Sequence, residues 1–393
     1  MRSRSYLILL PQVLFCLSLS ACSKNSNAPG GNPPIIKNVS WTELKQPNAK
    51  IIQKEIKNFQ SYNLGNNRSL RILIPDFYEK DSVYIKLDIE VENDIGKIVA
   101  YYYGTEEENF KLLPENKIIL VKTGVSRISL YAMNALQQKS DTLIVEGLSV
   151  NSDYKVLYMN DGQDISALNL KLIMENVIAD SSTEKFIVVG IDASSNRLNE
   201  YGTTDTSGNT IICYSSIGQI GTKSKEYSKF VTEELVPYIN QNYRVKTEPE
   251  NTSFMGSSLG GLSAFNIAWM NPEIFGRIGV FSGSFWWRGN SGSNPSGEQI
   301  NQARIMHKHV RESTQRVGMK FWFEAGTNDE ADDRDKDGII DAIDDTKDLM
   351  HELQVLGYKE STDYFYTEVA GGQHNQATWS TVLPDFLIWN YKK

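Results

Sequence analysis

The sequence predicts an α/β protein with a mostly parallel sheet, accompanied by a small β-sandwich-like accessory module, and three observations carry this expectation. Across residues 153–393, short apolar runs alternate with amphipathic stretches of helical period, the pattern of a parallel sheet with crossover helices. Gly256-Ser257-Ser258-Leu259-Gly260 lies between one such run and one such stretch, a strand–turn–helix setting. Residues 83–150 are strand-like throughout, with Tyr84-Ile85-Lys86-Leu87-Asp88-Ile89-Glu90-Val91 alternating and no helical stripe.

Taken from the N-terminus, Arg2 and Arg4 precede an apolar stretch over residues 6–19, the charged and hydrophobic regions of a secretory signal, too short to span a bilayer. It ends in Leu19-Ser20-Ala21-Cys22, which resembles the bacterial lipobox, whose cysteine is lipidated and becomes the first residue of the mature chain. Residues 1–21 therefore read as a lipoprotein signal peptide, Cys22 as the lipidation site, and residues 22–50, which open on a polar Pro/Gly-rich run, as a flexible tether. The expected location is the bacterial cell envelope, lipid-anchored through Cys22, periplasmic or surface-facing, with the outer membrane favoured.

Residues 59–64 and 69–75 read as strands around the turn-rich Gly65-Asn66-Asn67. Further strands are expected at 156–159, 186–191, 252–255, 278–281, 320–323 and 364–367, with a helix presenting Tyr227, Phe230, Val231, Leu235 and Ile239 on one face. The 393 residues include 48 acidic and 40 basic side chains, a net charge of −8. That balance, without any long Lys/Arg run, excludes nucleic acid as an expected partner. Cys16 and Cys22 lie in the N-terminal segment expected to be processed, so Cys213 is the one remaining thiol and neither a disulfide framework nor a cysteine metal site is expected.

Ser258 stands where a nucleophile elbow needs it, and the flanking glycines leave the room that a strained turn requires. A hydroxyl is a weak nucleophile until a base takes its proton, so a histidine and an orienting carboxylate should follow. Of the four histidines, His307, His309 and His351 lie in polar helix-like stretches and read as surface residues. His374 follows a strand and Gly371-Gly372, where an imidazole is presented at the carboxyl edge of the sheet. Asp329, after the strand beginning at 320, is the expected acid, with Glu330 its competitor. The order Ser258, Asp329, His374 is that of α/β-hydrolases. The expected oxyanion donors are the backbone N–H groups of Leu259 and Gln163, the latter within Asp161-Gly162-Gln163. The Asp161 side chain reads equally well as a site group or an ordinary turn residue.

Several segments then resemble one family: Val156-Leu157-Tyr158-Met159-Asn160-Asp161-Gly162-Gln163, Arg197-Leu198-Asn199-Glu200-Tyr201, Glu234-Leu235-Val236-Pro237-Tyr238-Ile239, residues 256–261, Phe281-Ser282-Gly283-Ser284-Phe285-Trp286-Trp287 and Gly326-Thr327-Asn328-Asp329. They resemble the Putative esterase family, which includes esterase D-like S-formylglutathione hydrolase, feruloyl and acetyl-xylan esterases, enterobactin esterases and mycolyltransferases. The resemblance runs from about residue 153 to the C-terminus and implies Ser258 as nucleophile, Asp329 as acid and His374 as base. Gln373, between Gly372 and His374, makes the histidine motif looser than the family's. The resemblance also implies that residues 51–80 hold the first hydrolase strands, 81–151 form an inserted module, and 152–393 complete the catalytic domain. A separate N-terminal β domain from about residue 51 is the alternative.

Asp333-Arg334-Asp335-Lys336-Asp337-Gly338-Ile339-Ile340-Asp341-Ala342-Ile343-Asp344 has the spacing of an EF-hand loop. Side-chain oxygens fall at positions 1, 3, 5, 9 and 12, a glycine at 6, and the Ile339 carbonyl at 7, a set suited to structural Ca²⁺. Asp344 departs from the usual glutamate. No cofactor is expected for the chemistry itself. The reading is a lipid-anchored serine esterase acting on acyl esters, carbohydrate-linked ones of acetyl or feruloyl type leading, from plant or other polysaccharide. Its rivals are an acyltransferase using the same triad and a catalytically silent glycan-binding surface lipoprotein. Trp286 and Trp287, with the loop at 289–297, read either as substrate-binding cleft wall or as core.

Overall fold

The computed structural model describes residues 33–43, 50–80, 82–92, 98–105, 109–122, 125, 127–146, 153–180, 183–215, 218–289 and 296–392. The predicted signal peptide and Cys22 lie outside the described residues.

Eight strands form the principal sheet: β1 Ile51–Ser61, β2 Asn66–Pro75, β3 Lys155–Asn160, β4 Phe186–Ile191, β5 Thr252–Ser257, β6 Arg277–Phe281, β7 Lys320–Asn328 and β8 Tyr364–Gln373. They run in the order β8-β7-β6-β5-β3-β4-β2-β1. β3 pairs in parallel with β4 and β5, and parallel pairing continues through β6, β7 and β8, while β2 is antiparallel to both β4 and β1. This is the mostly parallel sheet of the α/β-hydrolase fold. β3, β4 and the first five residues of β5 are buried, so they read as unbroken apolar runs rather than as alternation. β1 begins eight residues before the strand expected from residue 59, because its mostly exposed face, lying at the sheet edge, offers little apolar signal.

Helix α1 spans Leu170–Asp180, α2 Ser224–Lys229 and α3 Val236–Asn242, the last two joined by a π-helical stretch Phe230–Leu235. Tyr227, Phe230, Val231, Leu235 and Ile239 are all buried, as their spacing predicts. α4 is Leu259–Met270, α5 Ile305–Arg311, α6 Asp341–Val355 and α7 Gln376–Tyr391. Neighbouring residues of β6 place helices on opposite faces. A Cβ on Gly279 would lie 2.6 Å from the Phe386 ring of α7, whereas Val280 Cγ1 lies 2.9 Å from where Gly261 of α4 would carry one.

By contacts the chain divides into Met1–Ser40, Asp88–Leu113 and Ile128–Val145 as one unit, and Trp41–Leu87, Pro114–Arg127 and Glu146–Lys393 as the other. In the smaller unit, Ile98–Thr105 pairs antiparallel with Lys111–Leu112 and with residues 128–134, Ile128, Leu130 and Ala132 being turned inward. These boundaries differ from the expected continuous stretch 81–151. Ile118–Lys122 pairs with residues 82–86 and groups with the larger unit. The expected tether over 22–50 also gives way at Ile35–Glu43, a strand in which Ile36 is buried while Ile35 stays exposed, since burying an isoleucine side chain is favoured over leaving it in water.

Candidate active site

β5 ends at Ser257, and Ser258 follows with φ 57° and ψ −128°. An L-residue rarely adopts this conformation, and it persists only where its surroundings over-determine it, at a cost of about 1–3 kcal/mol. Here the Ser258 N–H donates to the Phe281 carbonyl at 2.9 Å, and its own carbonyl accepts from Gly261, Leu262 and Ser284 at 3.0, 3.1 and 3.2 Å. The motif's glycines are required by contact, since a Cβ on Gly256 would lie 2.3 Å from the Gly260 oxygen and one on Gly260 2.8 Å from Asp161 Oδ2. Ser284 Oγ comes within 3.5 Å of Ser258 Oγ.

Asp329 and His374 lie beyond the carboxyl ends of β7 and β8. These ends press together because both strands carry glycine there: a Cβ on Gly326 would fall 2.4 Å from the Gly372 oxygen. Pairing also slips between Gly326 and Asn328, turning the chain just before Asp329. His374 Nδ1 lies 3.7 Å from Asp329 Oδ2, the imidazole side chain being 40% exposed and the carboxylate 0%. This is ion-pair distance, longer than a hydrogen bond. Glu330 is the half-buried neighbour, and its charged surroundings are Asp341, Asp332 and Asp345. Asp329 is therefore the carboxylate that reaches the imidazole.

The surroundings of this pair were not legible in the sequence. The Trp379 ring packs at 80° against His374, 5.4 Å between centroids, and its Nε1–H donates to Ser282 Oγ at 2.8 Å. Ser282 in turn donates to the buried Glu324 at 3.4 Å. Burial, reinforced by the charge of Asp329, pushes Glu324 up to about 8. Leu259 is the first residue of α4, so its N–H has no intrahelical acceptor. Asp161 is left-handed (φ 58°, ψ 50°) and opens a 3₁₀ turn Gly162–Ile165 whose first hydrogen bond is from Asp164 N–H. The Gly162 and Gln163 N–H groups precede that bond. The Asp161 carboxylate is held by Arg197 through two bonds of 2.7 and 2.8 Å, so the turn residue has a specific partner.

A strained serine after a central parallel strand, beside strand ends that join a histidine to a buried aspartate, is the arrangement of a hydrolase, and residues 134–389 match the family described as Putative esterase. The chain belongs to that family. It is an esterase, hydrolysing carboxylic esters. YbbA, an uncharacterized protein of Bacillus subtilis strain 168, is 26% identical over 242 residues, 61% of this chain and 86% of its own. The endo-1,4-beta-xylanase/feruloyl esterase of Xylanibacter ruminicola is 32% identical over 136 residues, 33% of this chain and 16% of that protein. A solved ferulic acid esterase shares the fold at a TM-score of 0.50 and 15% identity, covering 87% of this chain and 97% of its own.

In this esterase Trp287 is fully buried, its indole filling the space left by Gly221, where a Cβ would meet it at 2.4 Å. It is core and offers no face to a ligand, which corrects its reading as cleft wall. Trp286 is half-buried at the core's edge, and residues 290–295 of the adjoining loop lie outside the described residues. His307 and His309 are buried, not surface residues as their polar neighbours imply. His307 Nε2 bonds the Asp345 carbonyl at 2.8 Å, because α5 packs against α6 along the face that carries it. His351 is exposed.

The acidic loop brings carboxylate oxygens of Asp333, Asp335 and Asp337 within 4.8 Å of one another. The turn is made by Lys336 (φ 66°) and Gly338 (φ 92°). Asp333 accepts from the N–H groups of Lys336 and Gly338 at 2.6 and 3.0 Å, and Asp337 accepts from Ile339 N–H at 2.8 Å. Burial, and then the charges of Asp337 and Asp335, push Asp344 up to about 6, so this acid faces the same cluster. Asp341 is already engaged, accepting from Arg334 N–H at 2.8 Å. A cavity of about 420 Å³ bounded by Asp335, Asp337, Asp341, Asp344, Asp348 and Arg334 adjoins the loop, and neither Ser258, Asp329 nor His374 lines it. Carboxylate donors of this number and hardness fit Ca²⁺.

Proposed function

We propose that this esterase works through an acyl-enzyme on Ser258, with His374 as base and Asp329 as the acid that orients it. The observation that carries the reading is the strained Ser258 elbow at the head of the sheet that also ends in the His374–Asp329 pair. Ser258 Oγ attacks the ester carbonyl as His374 takes its proton. Asp329 holds the other ring nitrogen and stabilises the imidazolium. The tetrahedral oxyanion is received by the N–H groups of Leu259 and Gln163. His374 then protonates the leaving alcohol, and water, activated by the same imidazole, releases the acid and restores Ser258. Trp286 flanks the substrate.

Carbohydrate-linked esters of acetyl or feruloyl type are the proposed substrates, supported by the similarity to the endo-1,4-beta-xylanase/feruloyl esterase of Xylanibacter ruminicola. We further propose structural Ca²⁺ at Asp333, Asp335, Asp337, Ile339, Asp341 and Asp344, the bound ion relieving the crowding of carboxylates behind Asp329. Within the expected stretch 81–151, Asp88–Leu113 and Ile128–Val145 are proposed as the accessory module, and Cys22 as the lipid anchor to a bacterial envelope membrane. The decisive test is a fluorophosphonate that reacts only with an activated serine. Mass mapping should place the label on Ser258, and Ser258→Ala should lower turnover of an activated aryl ester by about 10⁴-fold or more with the melting curve unchanged. Retained hydrolysis in that variant would remove the serine mechanism. A panel of acetyl, feruloyl and longer-chain esters then identifies the acyl group.

A further inference from the structure

The two N–H groups assigned to the oxyanion sit on different segments, Leu259 on α4 and Gln163 on the turn after β3, and something must hold them in register. Asp161 begins that turn in a left-handed conformation, which an L-residue adopts only at a cost. Its N–H donates to the Tyr201 hydroxyl at 3.1 Å. Tyr201 is fully buried and partners the hydroxyl of Tyr227, which is equally buried. Tyr227 donates to Asn160 Oδ1 at 2.6 Å, and Asn160 Nδ2 donates to the Gly260 carbonyl at 2.7 Å.

The direction of every proton in this chain is determined. A carbonyl only accepts, so the amide nitrogen of Asn160 must face Gly260 and its oxygen must face Tyr227. Tyr227 spends its proton on Asn160, so its oxygen accepts from Tyr201, and the oxygen of Tyr201 accepts from Asp161. Burial raises both phenols well above their ordinary range, so neither ionises under working conditions. One end of the chain is one residue from Leu259, and the other is two residues from Gln163. The helical turn Arg197–Glu200, which leads into Tyr201, is itself anchored, Glu200 forming a fully buried ion pair with Arg68 of β2.

Resting on the serine reading above, we propose that Tyr201, Tyr227 and Asn160 form a proton-ordered strut between the two halves of the oxyanion site, making Tyr201 and Tyr227 positioning residues for catalysis. The strut matters where negative charge develops on the carbonyl oxygen, so its loss weakens transition-state binding and leaves substrate binding untouched.

The test uses the full chain as wild type and as Tyr201→Phe, an isosteric change that removes only the hydroxyl. Competent sites are counted by stoichiometric phosphonate labelling. The expected result is a kcat per labelled site lower by roughly 10- to 100-fold with KM within about twofold. Affinity for an aryl boronic acid, which forms a tetrahedral adduct on the serine, should fall by the same factor as kcat. Should Tyr201→Phe fail to melt cooperatively, Tyr227→Phe carries the same readouts from the other hydroxyl. Wild-type kcat per labelled site, or a loss confined to KM, would overturn the strut while leaving the serine reading intact. A wild-type chain that the phosphonate does not label at Ser258 would overturn the serine reading, and the strut with it.

Discussion

Asp329 lies with both carboxylate oxygens buried and no hydrogen-bond donor on them among the described residues, His374 Nδ1 being the group that faces it at 3.7 Å. An acid so placed acts by fixing the tautomer of the imidazole, a role that an amide of the same shape cannot fill. Asp329→Asn should therefore lower kcat by about 10³- to 10⁴-fold, whereas Glu330→Gln, facing the acidic loop, should change it by less than about tenfold. Steady-state kinetics on both variants check the ranking, and the reverse order would transfer the role to Glu330. Glu324 makes a different residue-level prediction. Its carboxyl is raised from 4.5 to about 8, chiefly by burial and next by Asp329. A carboxyl raised in the folded state contributes stability that is complete below its unfolded value and is lost as pH rises through the folded one. Wild type should thus lose stability between about pH 4.5 and 8 on this account, and Glu324→Gln should not. Melting temperatures at pH 5, 7 and 9 should converge on or cross in favour of the variant as pH rises, and parallel curves would refute the assignment.

At the scale of elements, the loop from Asp333 to the head of α6 joins β7 to its following helix, and its charges are all of one sign but for Arg334 and Lys336. Three carboxylates within 4.8 Å repel one another unless a cation or hydrogen bonds offset them. Backbone N–H groups do part of this, and a bound Ca²⁺ would do the rest. A ligand that binds only the folded chain stabilises it by about 2.7 kcal/mol at a hundredfold excess over Kd, so the thermal midpoint should climb with free Ca²⁺ and fall with EDTA. Asp337→Ala should abolish the calcium-dependent shift and Lys336→Ala should keep it, because the lysine occupies a position between ligands. A melting curve that ignores a calcium titration, in protein shown metal-free by elemental analysis, would leave the loop a solvated turn. Activity lost to EDTA should be partial and return with Ca²⁺, since the loop begins four residues after Asp329 and supplies none of the reacting groups.

For the whole molecule, the proposed lipoprotein leader bears on location and the catalytic body on chemistry. Expressed with its leader in a bacterium, the chain should partition with the membrane fraction and carry a diacylglyceryl-sized mass increment on Cys22, and Cys22→Ser should lose both. Release of the variant with unchanged kcat on a soluble aryl ester would show that the anchor sets location only, while a soluble, unmodified wild type would remove the lipoprotein reading.

How much was legible in the sequence follows the range of the interactions involved. Strands buried on both faces, the Gly-x-Ser-x-Gly junction and the order Ser258, Asp329, His374 rest on local periodicity and on residue chemistry, so they could be read without coordinates. β1 began earlier than read, because an edge strand with a mostly exposed face lacks the apolar pattern that betrays its neighbours. His307 and His309 were misread because their polar sequence neighbours turn outward while helix packing buries the imidazoles. Trp287 was undecided because nothing local says that Gly221, 66 positions earlier, leaves the space it fills. The sequence by itself determined which residue types were available for the proposed nucleophile, base, acid and calcium loop. Only the tertiary structure decided that Asp329 rather than Glu330 meets His374, that Glu324 is buried beside them, and that Tyr201, Tyr227 and Asn160 meet at all. These depend on close approach between segments distant in the chain, at Gly326 against Gly372 and at Asn160 against Gly260, which packing sets and no local pattern records.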